Sequence, residues 1–227
     1  MFKKLAVVAA LVLFANSVQA VTFNPISSIS SSTAGSDLWA ASNLIQGSGV
    51  GFDATAPHNQ LGAASTHRWV TAAPGGFPAD YIAVAGTPVL TIDLGQDTLL
   101  SEISVWGYAA SNANGVSEFS LRFATEAEGT GGFGTSIAFN PTYFPVNDDV
   151  LRQSFAFGQN LSARYVEFTA EDNFFIFPGD NSVNPPGGDR VGLGEIAFAV
   201  TVPEPASAAL CLLGVASMGL IRRRRTS

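Results

Sequence analysis

Between residues 87 and 200, apolar and polar residues alternate in a succession of short runs, and clusters of glycine, proline, asparagine and aspartate separate these runs. Alternation places every second side chain on the same face of a strand. No stretch has the 3.6-residue apolar spacing of a long helix. Such a chain is limited to antiparallel sheets that pack on one another or close into a barrel. The sequence therefore predicts an all-β domain, an antiparallel β-sandwich with little helix.

The alternating runs also predict which side chains form the core. The predicted strands cover residues 87–94, 99–108, 117–125, 150–157, 163–170 and 191–200. The residues expected to face inward are Val89 or Leu90, Ile92, Leu94, Ile103, Val105, Phe119, Leu121, Phe123, Val166, Phe168, Ile196, Phe198 and Val200. Three tryptophans, Trp39, Trp69 and Trp106, are expected to pack in the same core.

Residues 1–20 have the three parts of a secretory signal peptide. Two lysines form the positive start, Leu5–Phe14 are apolar, and Val18 and Ala20 are the small residues before the cleavage point. The mature chain is therefore expected to begin at Val21 and to be exported.

The other end of the chain has a different three-part pattern. A Pro-Glu-Pro motif precedes sixteen uncharged residues, Ala206–Ile221, and four arginines follow. Sixteen helical residues reach ~24 Å, slightly less than the ~30 Å hydrocarbon core of a bilayer. The pattern predicts a single, marginal transmembrane helix whose arginines stay in the cytoplasm. The one cysteine, Cys211, lies inside this segment, which leaves no partner for a disulfide.

The order of these three parts closely resembles the PEP-CTERM sorting signal of Gram-negative bacteria. The resemblance implies recognition by an exosortase, a membrane cysteine protease, and cleavage near the Pro-Glu-Pro motif. It also implies transient anchoring in the inner membrane and transfer to the cell surface or the extracellular polymer. A plain transmembrane anchor is the alternative. The residues that carry the signal are Val202, Pro203, Glu204, Pro205, Arg222, Arg223, Arg224 and Arg225.

The body between the two ends is strongly acidic. Residues 21–203 hold five arginines, no lysine and seventeen acidic residues, a net charge of −12. Binding of nucleic acid needs clustered cations that displace counterions, and an acidic surface is repelled by an anionic membrane. This composition excludes nucleic-acid binding and restricts membrane contact to the C-terminal helix. The chain is thus divided into a signal peptide (1–20), one β-domain (21–201) and a sorting tail (202–227).

Six short motifs follow one another in the body: SDLWAASNLIQGSGV (36–50), HRWV (67–70), VLTIDLGQDTLLSEISVWGY (89–108), NGVSEFSLRFATE (114–126), ARYVEFTAEDN (163–173) and GLGEIAF (192–198). Their order resembles the discoidin or coagulation-factor type C family, whose fold is the galactose-binding-like jelly roll. The resemblance implies a jelly-roll β-sandwich over residues 36–200 and a binding module for polysaccharide.

The same resemblance implies a structural calcium site. In the family, an aspartate of the first turn, loop carbonyls and the glutamate of the last strand hold the ion. Here Glu195 stands at the glutamate position, Asn43 and Gly47 lie in the matching turn, and Gln46 replaces the aspartate. Calcium takes six to eight oxygen ligands, so the missing carboxylate weakens the expected site. A solvated Glu195, or one satisfied by loop amides, is the alternative.

Known catalytic motifs do not occur in the sequence, which lacks Gly-x-Ser-x-Gly, His-Glu-x-x-His and a phosphate loop. Its two histidines, His58 and His67, lie in a loop-rich part. The acid pairs at 148–149 and 171–172 could serve a glycoside hydrolase, which needs two carboxylates across a cleft, but solvated turns explain them as well. The sequence favours a non-catalytic binding module. A glycan-acting hydrolase and a structural matrix protein without a discrete ligand are the alternatives.

Loop aromatics are the candidate ligand-binding residues. Aromatic faces cover the apolar face of a sugar while aspartate and asparagine bind its hydroxyls. Alternatively, these rings fold back onto the sandwich. Residues 77–81 are a second candidate of the same composition. The preferred candidates are Phe174, Phe175, Phe177, Asp180 and Asn181.

Overall fold

The computed structural model describes residues 22–33, 35, 37–45, 68–75, 79–108, 112–142, 152–175 and 188–200. These residues belong to one compact unit, Thr22–Thr201. Its strands are β1 (Thr22–Asn24), β2 (Ser28–Ser31), β3 (Trp69–Val70), β4 (Val89–Trp106), β5 (Val116–Ala124), β6 (Ile137–Phe139), β7 (Arg152–Asn173), β8 (Gly192–Leu193) and β9 (Glu195–Val200). One short helix, α1 (Tyr81–Ala85), and 3-10 turns at Asp37–Trp39, Ala41–Ile45, Asn112–Asn114 and Gly129–Gly131 complete the described elements.

The two longest strands, β4 and β7, each contribute one half to each layer of the sandwich. The first half of β4 pairs with β2 and with the second half of β7. The second half of β4 pairs with β9 and with the first half of β7. Gly95, at the bend of β4, has a φ of 86°, a left-handed conformation that favours glycine. The sequence predicted two strands and a turn here, and the structure has one bent strand.

Ring contacts show that the two layers face each other. Phe155, from the first half of β7, lies 5.5 Å from Phe119 of β5 between ring centroids. The ring centroid of Phe157, also from the first half of β7, lies 5.3 Å from that of Phe123 on β5. Because β5 pairs with the second half of β7, these contacts cross from one layer to the other. The prediction of an antiparallel β-sandwich is confirmed.

The strand order defines two ends of the sandwich. β4 begins and ends at one of them, where Trp106 pairs with Glu195 and β7 ends at Asn173. We call this the loop end, because residues 107–108 after β4 and 174–175 after β7 leave the sandwich there. At the opposite end β4 bends, and β9 terminates at Val200.

Most of the predicted core residues are buried. Leu90, Ile92, Leu94, Ile103, Val105, Phe119, Leu121, Val166, Phe168, Ile196 and Phe198 are almost fully covered, as are Trp69 and Trp106. Phe123 and Val200 are half-buried at the margin. Trp39 is also only half-buried, because it lies at the loop end, where an arginine packs over its ring. The prediction of a core position is therefore wrong for Trp39.

An ion-pair network lies at the opposite end. Arg164 donates from Nε and Nη2 to the two carboxylate oxygens of Asp93 at 3.0 and 3.2 Å, and from Nη1 to Glu126 at 2.8 Å. The hydrogen bond from Arg164 lowers the pKa of Asp93 below its ordinary value. The Gly95 N–H and the charge of Arg164 act in the same direction, and partial burial opposes them.

This network makes the stability of the domain depend on acid pH. The lowered pKa of Asp93 means that its contribution is complete above the unfolded value of about 3.9 and is lost as the pH falls through the lower, folded value. We expect Asp93→Asn to flatten the decline of the melting temperature below about pH 5, because an amide does not take up a proton in this range. The amide oxygen still accepts the Gly95 N–H, so the turn is preserved. Thermal unfolding against pH checks this, with Glu118→Gln on β5 as the control. An unchanged slope in Asp93→Asn would exclude this carboxylate as a source of acid sensitivity.

Candidate functional site at the loop end

Three buried asparagines organise the backbone of the loop end. Asn43 donates from its amide nitrogen to the carbonyls of Leu38 and Arg68, both at 2.9 Å. Asn173 donates to the carbonyls of Gly188 and Arg190 at 3.2 and 3.1 Å. The side-chain oxygen of Asn114 accepts the Gly188 N–H at 2.5 Å.

Asparagine suits this task because its side chain carries both donors and an acceptor. Loop backbone at this end is covered by other loops and needs partners for its N–H and C=O groups. The three side chains are 3–7% exposed, so their hydrogen bonds are shielded from water. They fix the chain segments that carry Trp39, Arg68 and Arg190.

Two arginine–aromatic pairs lie on this framework. The guanidinium of Arg190 is 5.5 Å from the ring centroid of Trp39, and that of Arg68 is 5.3 Å from the ring of Tyr108. Arg190 also has its Nε 3.7 Å from a carboxylate oxygen of Asp189. Both distances to the rings are within the range of a cation–π interaction.

The two pairs differ in exposure. Arg68 and Tyr108 are 7% and 6% exposed, whereas the Arg190 side chain is 32% exposed and Trp39 is half-buried. Burial raises the pKa of Tyr108, and the charges of Arg68 and Arg190 oppose this increase while Asp189 adds to it. These four groups therefore interact electrostatically, and the Trp39–Arg190 pair with Asp189 is the part that a ligand can reach.

The predicted ligand-binding residues are partly described. Phe174 and Phe175 directly follow β7 at the loop end, and their N–H groups donate to Gly115 O and to the side-chain oxygen of Asn173 at 3.1 and 3.0 Å. The Phe175 ring packs so closely on Gly188 that a Cβ there would overlap it, and both phenylalanines are half-buried. Phe177, Asp180 and Asn181 lie outside the described residues, so their role stays a prediction.

The second candidate, residues 77–81, is described only in part. Tyr81 begins helix α1, where the Asp80 carboxylate accepts the Ala83 N–H. Its side chain is 3% exposed, and its N–H donates to Gly188 O at 2.9 Å. Tyr81 is a core residue and not a surface for sugar, while Phe77 lies outside the described part.

Sequence reasoning missed Trp39, Arg190 and Asp189 as site residues. The available signal was the scarcity of cations, since residues 21–203 contain five arginines and no lysine. In the structure each of the five lies over an aromatic ring, in the pairs Arg68–Tyr108, Arg122–Phe133, Arg152–Phe23, Arg164–Tyr165 and Arg190–Trp39. Two of these pairs meet at the loop end.

The residues expected to bind calcium fit a structural cation in part. Glu195 is fully buried, so the alternative of a solvated carboxylate does not hold, and a buried carboxylate needs compensating partners. The turn that contains Asn43 packs against β9, which begins with Glu195. Gly47 lies outside the described residues, among which no three acidic, histidine or cysteine side chains form a metal-binding group. Of the predicted set, the structure describes Asn43 and Glu195, and calcium binding by them stays a prediction.

The acid pair 171–172, considered above as catalytic residues of a glycoside hydrolase, has structural hydrogen-bond partners. Glu171 accepts a hydrogen bond from Ser120 at 2.5 Å, and Asp172 accepts the Asn173 N–H at 2.8 Å. Both therefore hold neighbouring strands or turns. Asp148, Asp149 and the two histidines lie outside the described residues.

No helix within the described ranges is long and apolar enough to cross a membrane. The predicted transmembrane segment, residues 206–221, and the signal peptide lie outside those ranges.

Comparison with known proteins identifies the tail. The family model of the PEP-CTERM protein-sorting motif matches residues 201–225. The chain thus carries this motif, which implies export and processing by an exosortase in bacteria. No curated protein matches the chain by sequence.

Solved structures from Clostridium perfringens share the fold of the body. The CBM32-1, CBM32-2 and M60 catalytic domains of ZmpB align with 79% of this chain and 15% of their own, at 12% identity and a TM-score of 0.51. The CBM32-1 and CBM32-2 domains of ZmpB, solved with GalNAc, align with 79% of this chain and 36% of their own, at 12% identity and a TM-score of 0.50. The family 32 module of NanJ, solved with galactose, aligns with 79% of this chain and 99% of its own, at 14% identity and a TM-score of 0.48. The domain has the β-sandwich fold of family 32 carbohydrate-binding modules and discoidin-like domains.

Proposed function

We propose that this chain is an exported, non-catalytic carbohydrate-binding protein that binds polysaccharide at the loop end of its sandwich. The observation that carries the proposal is the partly exposed Trp39 ring next to the guanidinium of Arg190, whose Nε lies 3.7 Å from a carboxylate oxygen of Asp189. An aromatic ring covers the apolar face of a sugar, the guanidinium donates to hydroxyl oxygens, and the carboxylate accepts from hydroxyl groups. The fold supports the proposal, because the ZmpB modules solved with GalNAc share it.

The charge of the domain narrows the class of ligand. A body of net charge −12 repels a polyanion over distances of about one Debye length, ~8 Å at physiological salt. The five arginines of the body are also engaged with aromatic rings. A neutral or cationic polymer is therefore the proposed ligand.

A glycan array on the 21–201 fragment tests this function. We expect neutral or amino sugars to bind the wild-type fragment, and Trp39→Ala with Arg190→Ala to weaken binding at least about tenfold, which corresponds to 1.4 kcal/mol. The melting temperature should change little, because both side chains are partly exposed. The matched control is Arg122→Ala with Phe133→Ala, which removes an arginine–aromatic pair from another part of the domain. Equal weakening in both double variants, or no glycan bound by the wild type, would contradict the proposal.

We further propose that a structural calcium ion is held near Glu195 and the turn that contains Asn43. A ligand that binds only the folded state stabilises it by ~2.7 kcal/mol at a hundredfold excess over its dissociation constant. A chelator should therefore lower the melting temperature of the 21–201 fragment, and Glu195→Gln should abolish this response. An identical melting curve with and without chelator would show that the domain binds no structural calcium.

The sorting motif supports a route for this binding module. We propose that the tail anchors the chain transiently in the inner membrane of a Gram-negative bacterium until an exosortase cuts near Pro203–Pro205. The domain would then act at the cell surface or in the extracellular polymer, where polysaccharide is abundant.

A further inference from the structure

The edge strand β6 has a free side in the described part of the fold. It pairs with β5 on one side, where Ser120 is opposite Ala138, and no other strand of the described residues pairs with it. Ala138 is exposed, as are Ser136 before the strand and Asn140 after it. The free side of an edge strand presents N–H and C=O groups that can pair with a strand of another chain.

Half-buried apolar side chains line the sandwich next to this edge. The ring centroid of Phe139, on β6, lies 5.4 Å from that of Phe155 and 6.2 Å from that of Phe157, both on β7. Ile137 and Phe123 are half-buried beside them. We call these five residues the apolar side. They pack against the core but stay partly exposed, so a second chain at this place would remove further apolar surface from water.

The chain segments that form the apolar side carry no charge. Residues 129–142 and 153–163 contain no acidic or basic residue, although residues 21–203 hold seventeen acidic residues and five arginines. Depletion of charge together with enrichment in aromatic residues is the compositional mark of the core of a protein interface. A second copy of a body with net charge −12 is repelled over most of the surface. At the apolar side, two copies touch without like charges in contact.

Two copies of β6 are complementary to each other. A twofold axis through Ala138 makes the two strands antiparallel and gives the same contacts to both copies. Ile137 of each copy then lies opposite Phe139 of the other, and a β-branched residue opposite an aromatic one stabilises an antiparallel pair. Ser136 lies opposite Asn140 of the second copy, and the small Ala138 side chain meets only itself.

Charges on the next strand favour this antiparallel register. Because Ser120 lies beside Ala138, Arg122 of one copy shares a row with Glu118 of the second copy. The two β5 strands are three strand spacings apart, ~14 Å, and the Arg122 side chain is 43% exposed. A parallel pair would instead align each charge with its own kind. At this spacing salt weakens the attraction, so the charges select the register more than they strengthen the contact.

We propose that β6 is a self-association edge, at which two copies of the domain pair antiparallel about Ala138 with their apolar sides facing each other. Residues 136–140 of each copy pair, so the interface belongs to the small class below ~1,200 Å². Antiparallel pairing directs the two loop ends in opposite directions, and a pair would therefore bind two polymer chains and link them. This consequence rests on the proposed sugar-binding function, whereas the pairing itself does not.

Disulfide cross-linking in the full-length chain tests the pair and its register. Cys211→Ser removes the one native cysteine, and Ala138→Cys adds a thiol on the proposed axis. Residues directly opposite in an antiparallel pair have Cα atoms ~4.5–5.5 Å apart, a distance that a disulfide spans. Ser30→Cys is the matched control, because Ser30 is exposed on β2, the strand at the opposite edge of the same layer. Cells that export each variant are treated with copper phenanthroline, and non-reducing electrophoresis measures the bridged chain.

We expect Ala138→Cys to yield several-fold more chain of twice the monomer mass than Ser30→Cys does. Ser136→Cys alone should not bridge, because its two copies are four strand positions apart, ~13 Å, while Ser136→Cys combined with Asn140→Cys should. No bridge in Ala138→Cys, equal bridging in Ser30→Cys, a bridge from Ser136→Cys alone, no bridge in the double variant, or a bridge to a protein of another mass would overturn the proposal. No sugar takes part, so a negative glycan array would refute the proposed function and leave this measurement unaffected.

Discussion

Replacing Pro203, Glu204 and Pro205 by alanine is expected to leave the full-length chain in the inner membrane and to reduce processed protein at the cell surface to background. The apolar segment and its four arginines are unchanged in this variant, so membrane insertion should continue. What is lost is the recognition element. Proline restricts its own backbone and that of the preceding residue and disfavours helix, so the motif is expected from the sequence to favour an extended chain, the form that a protease recognises. Fractionation and the mass of the protein in each fraction measure the outcome.

Two controls separate recognition from folding and from insertion. Pro25→Ala exchanges an exposed proline in the body and should be processed normally. Replacement of all four C-terminal arginines by glutamine should also block processing, but through loss of the stop signal, so that unprocessed chain appears outside the inner membrane. Normal amounts of processed surface protein in the Pro-Glu-Pro variant would show that the motif is not the sorting element.

Most of the fold was predictable because alternation is a local signal. The period of two along residues 89–94 placed Leu90, Ile92 and Leu94 on one face, and all three are buried. The sequence did not predict that β4 continues through the bend at Gly95, because a turn between two strands and a bend within one strand have the same local composition. Helix α1 was missed for a related reason, since five residues are too few for a helical period to emerge.

The sequence predicted that the candidate site lies at an end of the sandwich, but it did not predict which residues form the site. Phe174 follows a strand, and the strand order puts it at an end of the sandwich, as the structure shows. Trp39, in contrast, has the composition of a core residue, and its position beside Arg190 depends on a contact 151 residues apart in the chain. The burial of Glu195 could not be predicted from the sequence either, because a single acidic residue in a strand can face the core or the solvent.

The second large effect is expected from Asn173→Ala at the loop end. This substitution removes the donors to Gly188 O and Arg190 O and the acceptor of the Phe175 N–H. The Arg190 carbonyl and the Phe175 N–H then lose this partner at a site where Asn173 is 3% exposed, while the Gly188 carbonyl keeps the Tyr81 N–H. An unsatisfied buried group costs ~1–3 kcal/mol, so about 3 kcal/mol of unfolding free energy should be lost. For a domain of this size, that is a decrease of about 6–12 °C in melting temperature.

Asn173→Ala should also abolish glycan binding, because Arg190 then loses the hydrogen bond that fixes its backbone. Asn24→Ala is the matched control, since this asparagine donates to the Pro25 carbonyl in an exposed position and its loss should cost little. Asn173→Asp separates the two roles of the side chain: it keeps the acceptor for the Phe175 N–H and loses both donors. If the donors position Arg190, the aspartate variant should lose binding as completely as the alanine variant, and its buried carboxylate next to the Gly188 and Arg190 carbonyls should lower the stability further. Full binding in Asn173→Asp would show instead that Arg190 is held in place by its contacts with Trp39 and Asp189, and that the asparagine serves the fold alone.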